Sequence, residues 1–159
     1  MIKAIVSDFS RTLLFAKDPH YTGSINKMYR ELLNTQEFKF FDHYIWNKQL
    51  AEFYQDIKVT KNIPIYIFTT EKIQENSEVK KYTDQLFTTI YTIKDVGNIT
   101  KDNPQAYKKL LELIKLSPGE VIFIDDSEVN VSAAKQVGLN CVMYTQLEQV
   151  KQSIQNYFN

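Results

Sequence analysis

The chain predicts a doubly wound, Rossmann-like α/β fold: a parallel sheet of about five strands with a small helical insertion after the first. Three observations carry that expectation. Short, continuous apolar runs at residues 2–7, 64–69 and 121–125 suit strands buried on both faces, as in a parallel sheet. Helical patterns alternate with these runs. Asp8, Thr69 and Asp125 stand at the carboxyl ends of the runs, where ligands collect in such sheets.

The first strand, residues 2–7, is built from Ile, Ala and Val. Fifty-one residues then separate Thr12 from Pro64, far more than a crossover needs. Residues 13–63 are therefore expected to form a small helical cap within one domain spanning 1–159, with helical patterns near Ser24–Leu33 and Tyr44–Ile57. Its aromatic cluster of Phe38, Phe40, Phe41, Tyr44 and Trp46 suits packing between helix and sheet or a shield over a substrate. The second strand reads Pro64-Ile-Tyr-Ile-Phe-Thr69, and Leu86–Ile93 and Leu139–Tyr144 are more interrupted strand candidates. Between them Pro104–Leu116 puts Ala106, Tyr107, Leu110, Leu111 and Ile114 on one stripe, with proline suited to the first turn and Gly119 beyond the end. Asp126 or Ser127 caps a further helix through Val131, Ala134 and Val137, stopped by Gly138.

Composition narrows the function classes. An apolar fraction of 43% and only four Gly and four Pro describe an ordinary globular chain without a linker or disordered tract. Nineteen basic residues balance nineteen acidic ones, so nothing steers the chain to nucleic acid or to a membrane surface. No run approaches the ~20 residues that span a bilayer, and no signal-peptide stretch opens the chain. The single cysteine, Cys141, suits a reducing compartment, so a cytoplasmic location is expected. Oligomeric state is not legible, and the spacing of His20 and His43 makes no metal pair.

The chemistry concentrates at the strand ends. Asp8 closes the first apolar run and the adjacent Asp125 and Asp126 close another; carboxylates beside buried strands are disfavoured unless paired or metal-bound. Four separated pieces, Asp8-Phe-Ser-Arg-Thr12, Thr69, Lys101 ahead of Pro104, and Ile124-Asp-Asp-Ser-Glu-Val-Asn130, together resemble the haloacid dehalogenase superfamily, most closely its small phosphatase-type members. The resemblance covers residues 1–16 and 60–145.

It implies a hydrolase, a phosphatase or phosphotransferase acting on a small phosphorylated metabolite, in which Asp8 attacks phosphorus and becomes an aspartyl-phosphate. It implies Mg²⁺ held by Asp8, the backbone carbonyl of Ser10, and Asp125 and Asp126, the division between the last two being open. It further implies Thr69, with Thr70 beside it, as the holder of a phosphoryl oxygen and Lys101 as the neutralising cation. Asn130 resembles the polar residue that steadies the last of these loops.

Two positions depart from the family pattern. Ser10 stands where phosphatases of the family usually carry a second Asp that protonates the leaving group and activates water, so turnover is expected to be slow. Arg11 replaces a frequent Gly at a tight turn and is a candidate for contacting a substrate anion. The alternative is a catalytically impaired phosphate-binding or protein-interaction module.

Overall fold

The computed structural model describes residues 1–35, 37–71 and 73–158. In chain order the strands are β1 (Ala4–Ser7), β2 (Leu14–Ala16), β3 (Tyr44–Trp46), β4 (Ile65–Thr69), β5 (Thr89–Thr92), β6 (Val121–Asp125) and β7 (Asn140–Met143). The helices are α1 (Ile25–Leu32), α2 (Phe40–His43), α3 (Lys48–Lys61), α4 (Ser77–Leu86), α5 (Pro104–Ile114), α6 (Glu128–Val137) and α7 (Leu147–Asn156).

Five strands form one parallel sheet in the order β5-β4-β1-β6-β7, the α/β architecture expected from the apolar runs. The sheet divides the core by side-chain alternation. Ile5, Ile65, Ile67, Ile122, Ile124 and Val142 face a cluster completed by Leu50, Tyr54 and Ile57 of α3, Val79 of α4, and Val150 and Ile154 of α7. Val6, Phe68, Val121 and Phe123 face the other way, onto Tyr107 and Leu110 of α5 and Ala133 and Ala134 of α6. A side-chain period of two places successive residues on opposite faces, and helices on both sides leave no face for water.

Residues 13–63 are mixed in structure. β2 and β3 pair antiparallel, with Leu14 opposite Trp46, and bracket the segment that carries α1 and α2. The helical pattern expected from Tyr44 is corrected here: Tyr44, Ile45 and Trp46 are extended, and the helix starts at Lys48, where the Asn47 side chain accepts from Leu50 N. β-branched and aromatic residues favour the strand. Leu86, expected in a strand, ends α4 instead, and the helices α4 and α7 had no counterpart in the sequence reading.

α5 ends at Lys115, left-handed at φ 56, before Gly119 is reached. Gly138 closes α6 at φ 94, as expected of a C-terminal glycine. Among the described residues no helix is long and apolar enough to cross a membrane.

Candidate active site

β1, β4 and β6 lie side by side, with Ser7 opposite both Ile67 and Ile124, so the residues that follow them emerge at one edge of the sheet. Asp8 follows β1 and its N–H donates to Ile124 O at 2.7 Å. Thr69 ends β4, buried, with exposed Thr70 next to it. Asp125 ends β6, fully buried, and Asp126 is half-buried beside it. Asp8, Asp125 and Asp126 each offer a carboxylate oxygen, and these atoms lie within 4.8 Å of one another.

Lys101 comes from the loop before α5, whose first turn is fixed by Asn103 accepting from Gln105 N and by Pro104. Its ammonium is almost wholly buried, donates to Asp8 Oδ1, and lies 2.6 Å from Asp125 Oδ2. It also sits 5.7 Å from the ring centroids of both Phe68 and Phe123. Asp125 is anchored further by Ser127 N at 2.8 Å and by Asn130 Nδ2, at 3.1 and 3.2 Å from its two oxygens. Asn130 thus steadies this loop by a direct contact.

The electrostatics follow from burial. Burial pushes the Asp8 carboxyl up to about 7, opposed by the Lys101 ammonium and reinforced by Asp125. Asp126 is raised by its own burial and by repulsion from Asp125. Burial works against the Lys101 ammonium, yet Asp8 and Asp125 outweigh it and hold its pKa above the ordinary lysine value. With all three carboxyl groups ionised, one ammonium leaves a negative excess, and the raised Asp8 and Asp126 carboxyls express the cost of that excess when no metal is bound. A hard, all-oxygen donor set with such an excess fits Mg²⁺, which prefers oxygen ligands and retains waters.

The two departures are also placed. Ser10 is half-buried, and its Oγ meets no hydrogen-bond partner among the described residues. Arg11 adopts φ 60, a left-handed turn that a glycine would make without strain, and its Nη2 donates to Gly23 O at 2.6 Å. Its guanidinium thus bridges the Asp8 loop to the segment before α1.

Several contributors escaped the sequence reading. Tyr54 of α3 donates to Ser7 Oγ at 3.0 Å, and Ser7 Oγ donates to Asp8 O at 2.8 Å, a buried hydroxyl chain behind the strand end. The available signal was a serine inside an otherwise apolar run. The rings of Phe68 and Phe123 beside Lys101 read in sequence only as core.

A family model for haloacid dehalogenase-like hydrolases matches residues 34–138, a stretch that includes Thr69, Lys101, Asp125 and Asp126 and begins after Asp8. An enolase-phosphatase E1 from Persephonella marina (strain DSM 14350 / EX-H1) is 27% identical over 93 residues, 55% of this chain and 40% of the relative. The chain thus spans well under half the length of that curated relative. Among solved structures, a HAD-superfamily hydrolase from Geobacter sulfurreducens superposes with a TM-score of 0.69 at 16% identity, covering 98% of this chain and 96% of the other. A HAD-family enzyme from Bacteroides thetaiotaomicron, in complex with magnesium and inorganic phosphate, superposes with a TM-score of 0.66 at 14% identity, covering 91% and 95%. These likenesses show a shared fold, and the matched family model shows more: the chain belongs to the haloacid dehalogenase-like hydrolases.

Proposed function

We propose that this protein is a Mg²⁺-dependent phosphatase of small phosphorylated metabolites that works through an aspartyl-phosphate on Asp8. The observation that carries the reading is the convergence of the Asp8, Asp125 and Asp126 oxygens within 4.8 Å, with the Lys101 ammonium between the first two. The phosphatase name of the Persephonella relative and the magnesium and phosphate in the Bacteroides complex support it.

In this reading a carboxylate oxygen of Asp8 attacks phosphorus, the ester P–O bond breaks, and the leaving alkoxide takes a proton from solvent, which the hydrolytic water later returns. Water then attacks the same phosphorus, releasing inorganic phosphate and restoring the carboxylate. Bound Mg²⁺ would offset charge on the transferring group. Asp8, the Ser10 carbonyl and Asp126 would hold it, with Asp125 direct or through water. Lys101 neutralises the nucleophile, while Thr69 and Thr70 position phosphoryl oxygens. Within residues 13–63 the segment ahead of α3 serves as a cap, α3 itself packing on the sheet, and Arg11, bonded to Gly23 O, would turn from that carbonyl to meet a substrate anion.

Ser10 limits the rate, because a neutral hydroxyl cannot act as the acid and base that contribute about 10²–10⁴-fold. Balanced charge favours a small diffusing substrate over nucleic acid, and the lone Cys141 thiol favours a cytoplasmic setting. The test is hydrolysis of an activated phosphoester with Mg²⁺ by the parent and by Asp8→Asn. Loss of turnover in the variant is expected; equal rates would remove Asp8 as nucleophile.

Ser10, in the place of the family's usual acid–base Asp and without a hydrogen-bond partner among the described residues, favours a second reading, a phosphate-binding or interaction module impaired in turnover. Calorimetry separates the two: Mg²⁺-dependent phosphate binding with no hydrolysis across a substrate panel selects the module.

A further inference from the structure

Away from the carboxylates, a cavity of about 530 Å³ opens between α3 and α4. Its lining includes the rings of Phe41, Trp46 and Tyr82, the aliphatic side chains of Ala51 and Leu86, and Lys81. The Trp46 and Tyr82 centroids are 5.6 Å apart and those of Phe41 and Tyr82 5.5 Å apart, yet Tyr82 remains 46% exposed. Exposed aromatic walls of this kind offer stacking surface at little conformational cost. The volume falls within the ~300–1,000 Å³ usual for small-molecule sites.

Charge narrows the occupant. Lys48 and Glu52 on the same rim pair with each other at 3.6 Å. Lys81 makes no ion pair among the described residues, so the rim keeps one uncompensated positive charge.

We propose that this cavity binds a flat aromatic anion, its rings against Trp46 and Tyr82 and its anionic group on Lys81. None of Asp8, Lys101, Asp125 and Asp126 lines it, so the site is separate from the candidate active site and does not rest on the phosphatase reading. It is nevertheless close in packing: the Trp46 ring lies 6.0 Å from that of Phe9, the neighbour of Asp8.

Trp46 is the only tryptophan, so its emission reports that a probe is bound, and the Lys81 and Tyr82 variants report where. The probes are 8-anilinonaphthalene-1-sulfonate and its neutral counterpart N-phenyl-1-naphthylamine, which presents the same rings without the sulfonate. Saturable quenching of Trp46 is expected, with the anion bound about three- to fivefold more tightly than the neutral probe. Lys81→Met should erase that preference and Lys81→Arg should keep it. Tyr82→Ala should weaken both probes about tenfold. Lys81 and Tyr82 are exposed, so these variants are expected to fold, and unchanged thermal unfolding checks that. Quenching that never saturates, a preference that survives Lys81→Met, or affinities untouched by Tyr82→Ala would each overturn the proposal.

Discussion

Lys101 carries more of the candidate site than any other single residue, because its ammonium is the buried cation that faces Asp8 and Asp125 together. Removing one partner of a buried ion pair costs about 3–5 kcal/mol, since the charge left behind is neither solvated nor matched. Lys101→Met is therefore expected to lower stability by about that amount in chelator, with added Mg²⁺ restoring a larger part of it than it adds to the parent. Thermal unfolding with and without Mg²⁺ checks this; equal metal-induced shifts in both proteins would contradict a shared charge balance. Asp8 gives a pH-dependent counterpart. Its folded carboxyl, raised from 3.8 to about 7, holds a proton that the unfolded chain has already released. That stabilisation is complete below pH 3.8 and is lost as pH rises through about 7. The metal-free parent should accordingly lose about 1–3 kcal/mol relative to Asp8→Asn between pH 5 and pH 8, read from urea midpoints. A constant difference across that range would refute the burial argument. At Ser10 the expectation concerns rate: Ser10→Asp should raise hydrolysis of an unactivated phosphate ester by at least about 10²-fold, and no change would mean that proton transfer is not what limits turnover.

At the scale of elements, Asn47 joins three parts of the chain. Its side chain caps α3 through Leu50 N at 3.1 Å, and its Nδ2 donates to Thr12 O at 3.0 Å and to Tyr144 Oη at 2.7 Å, linking the Asp8 loop to the end of β7. Losing an N-cap alone costs about 1 kcal/mol, and leaving half-buried partners unpaired adds a comparable amount. Asn47→Ala is expected to cost about 2–3 kcal/mol by urea denaturation; a loss below about 0.5 kcal/mol would mean that water replaces all three contacts. This junction also marks where sequence reading stopped. The central strands of the main sheet were legible because β1, β4 and β6 are apolar on both faces, and the strand-end positions of Asp8, Thr69 and Asp125 followed from those runs, whereas their proposed roles and that of Lys101 rest on the order of four separated pieces. β2 and β3 were not, since three-residue strands carry too little periodicity to separate Tyr44–Trp46 from the helix that follows. α4 and α7 were missed for a related reason: each has few buried positions, Val79, Thr83 and Leu86 in one and Val150 and Ile154 in the other, on an otherwise polar surface. Contacts such as Tyr54 to Ser7, forty-seven residues apart, leave no local trace at all.

Across the whole molecule the interactions are unevenly distributed: Leu13, Leu14, Phe40, Tyr44, Leu50 and Tyr54 of the insertion are buried in the same core as the sheet, and the thinly held part of the insertion is α1. β1, β4 and β6 are flanked on both sides by other strands and are covered by core clusters on both faces. Of α1 only Ile25 is fully buried, with Met28, Tyr29 and Leu32 half-buried against the core, and the side-chain ties that hold it to the rest include Arg30 to Glu71, just beyond β4, and Tyr44 Oη to Ile25 O at 3.4 Å. The Arg30 and Glu71 side chains are 56% and 39% exposed, and exposed pairs of this kind contribute about 0–1 kcal/mol. Local opening follows buried contact, so α1 should open at a free energy well below that of global unfolding while the central strands open only with it. Native-state hydrogen exchange is expected to show the amides of residues 25–32 exchanging ahead of those in residues 65–69 and 121–125. Arg30→Ala should speed exchange in α1 by up to about fivefold without altering exchange in the central strands or changing the free energy of global unfolding by more than about 0.5 kcal/mol. If α1 and the central strands exchange together, and Arg30→Ala shifts both alike, the insertion is part of one cooperative unit and cannot act as a cap that moves on its own over Asp8.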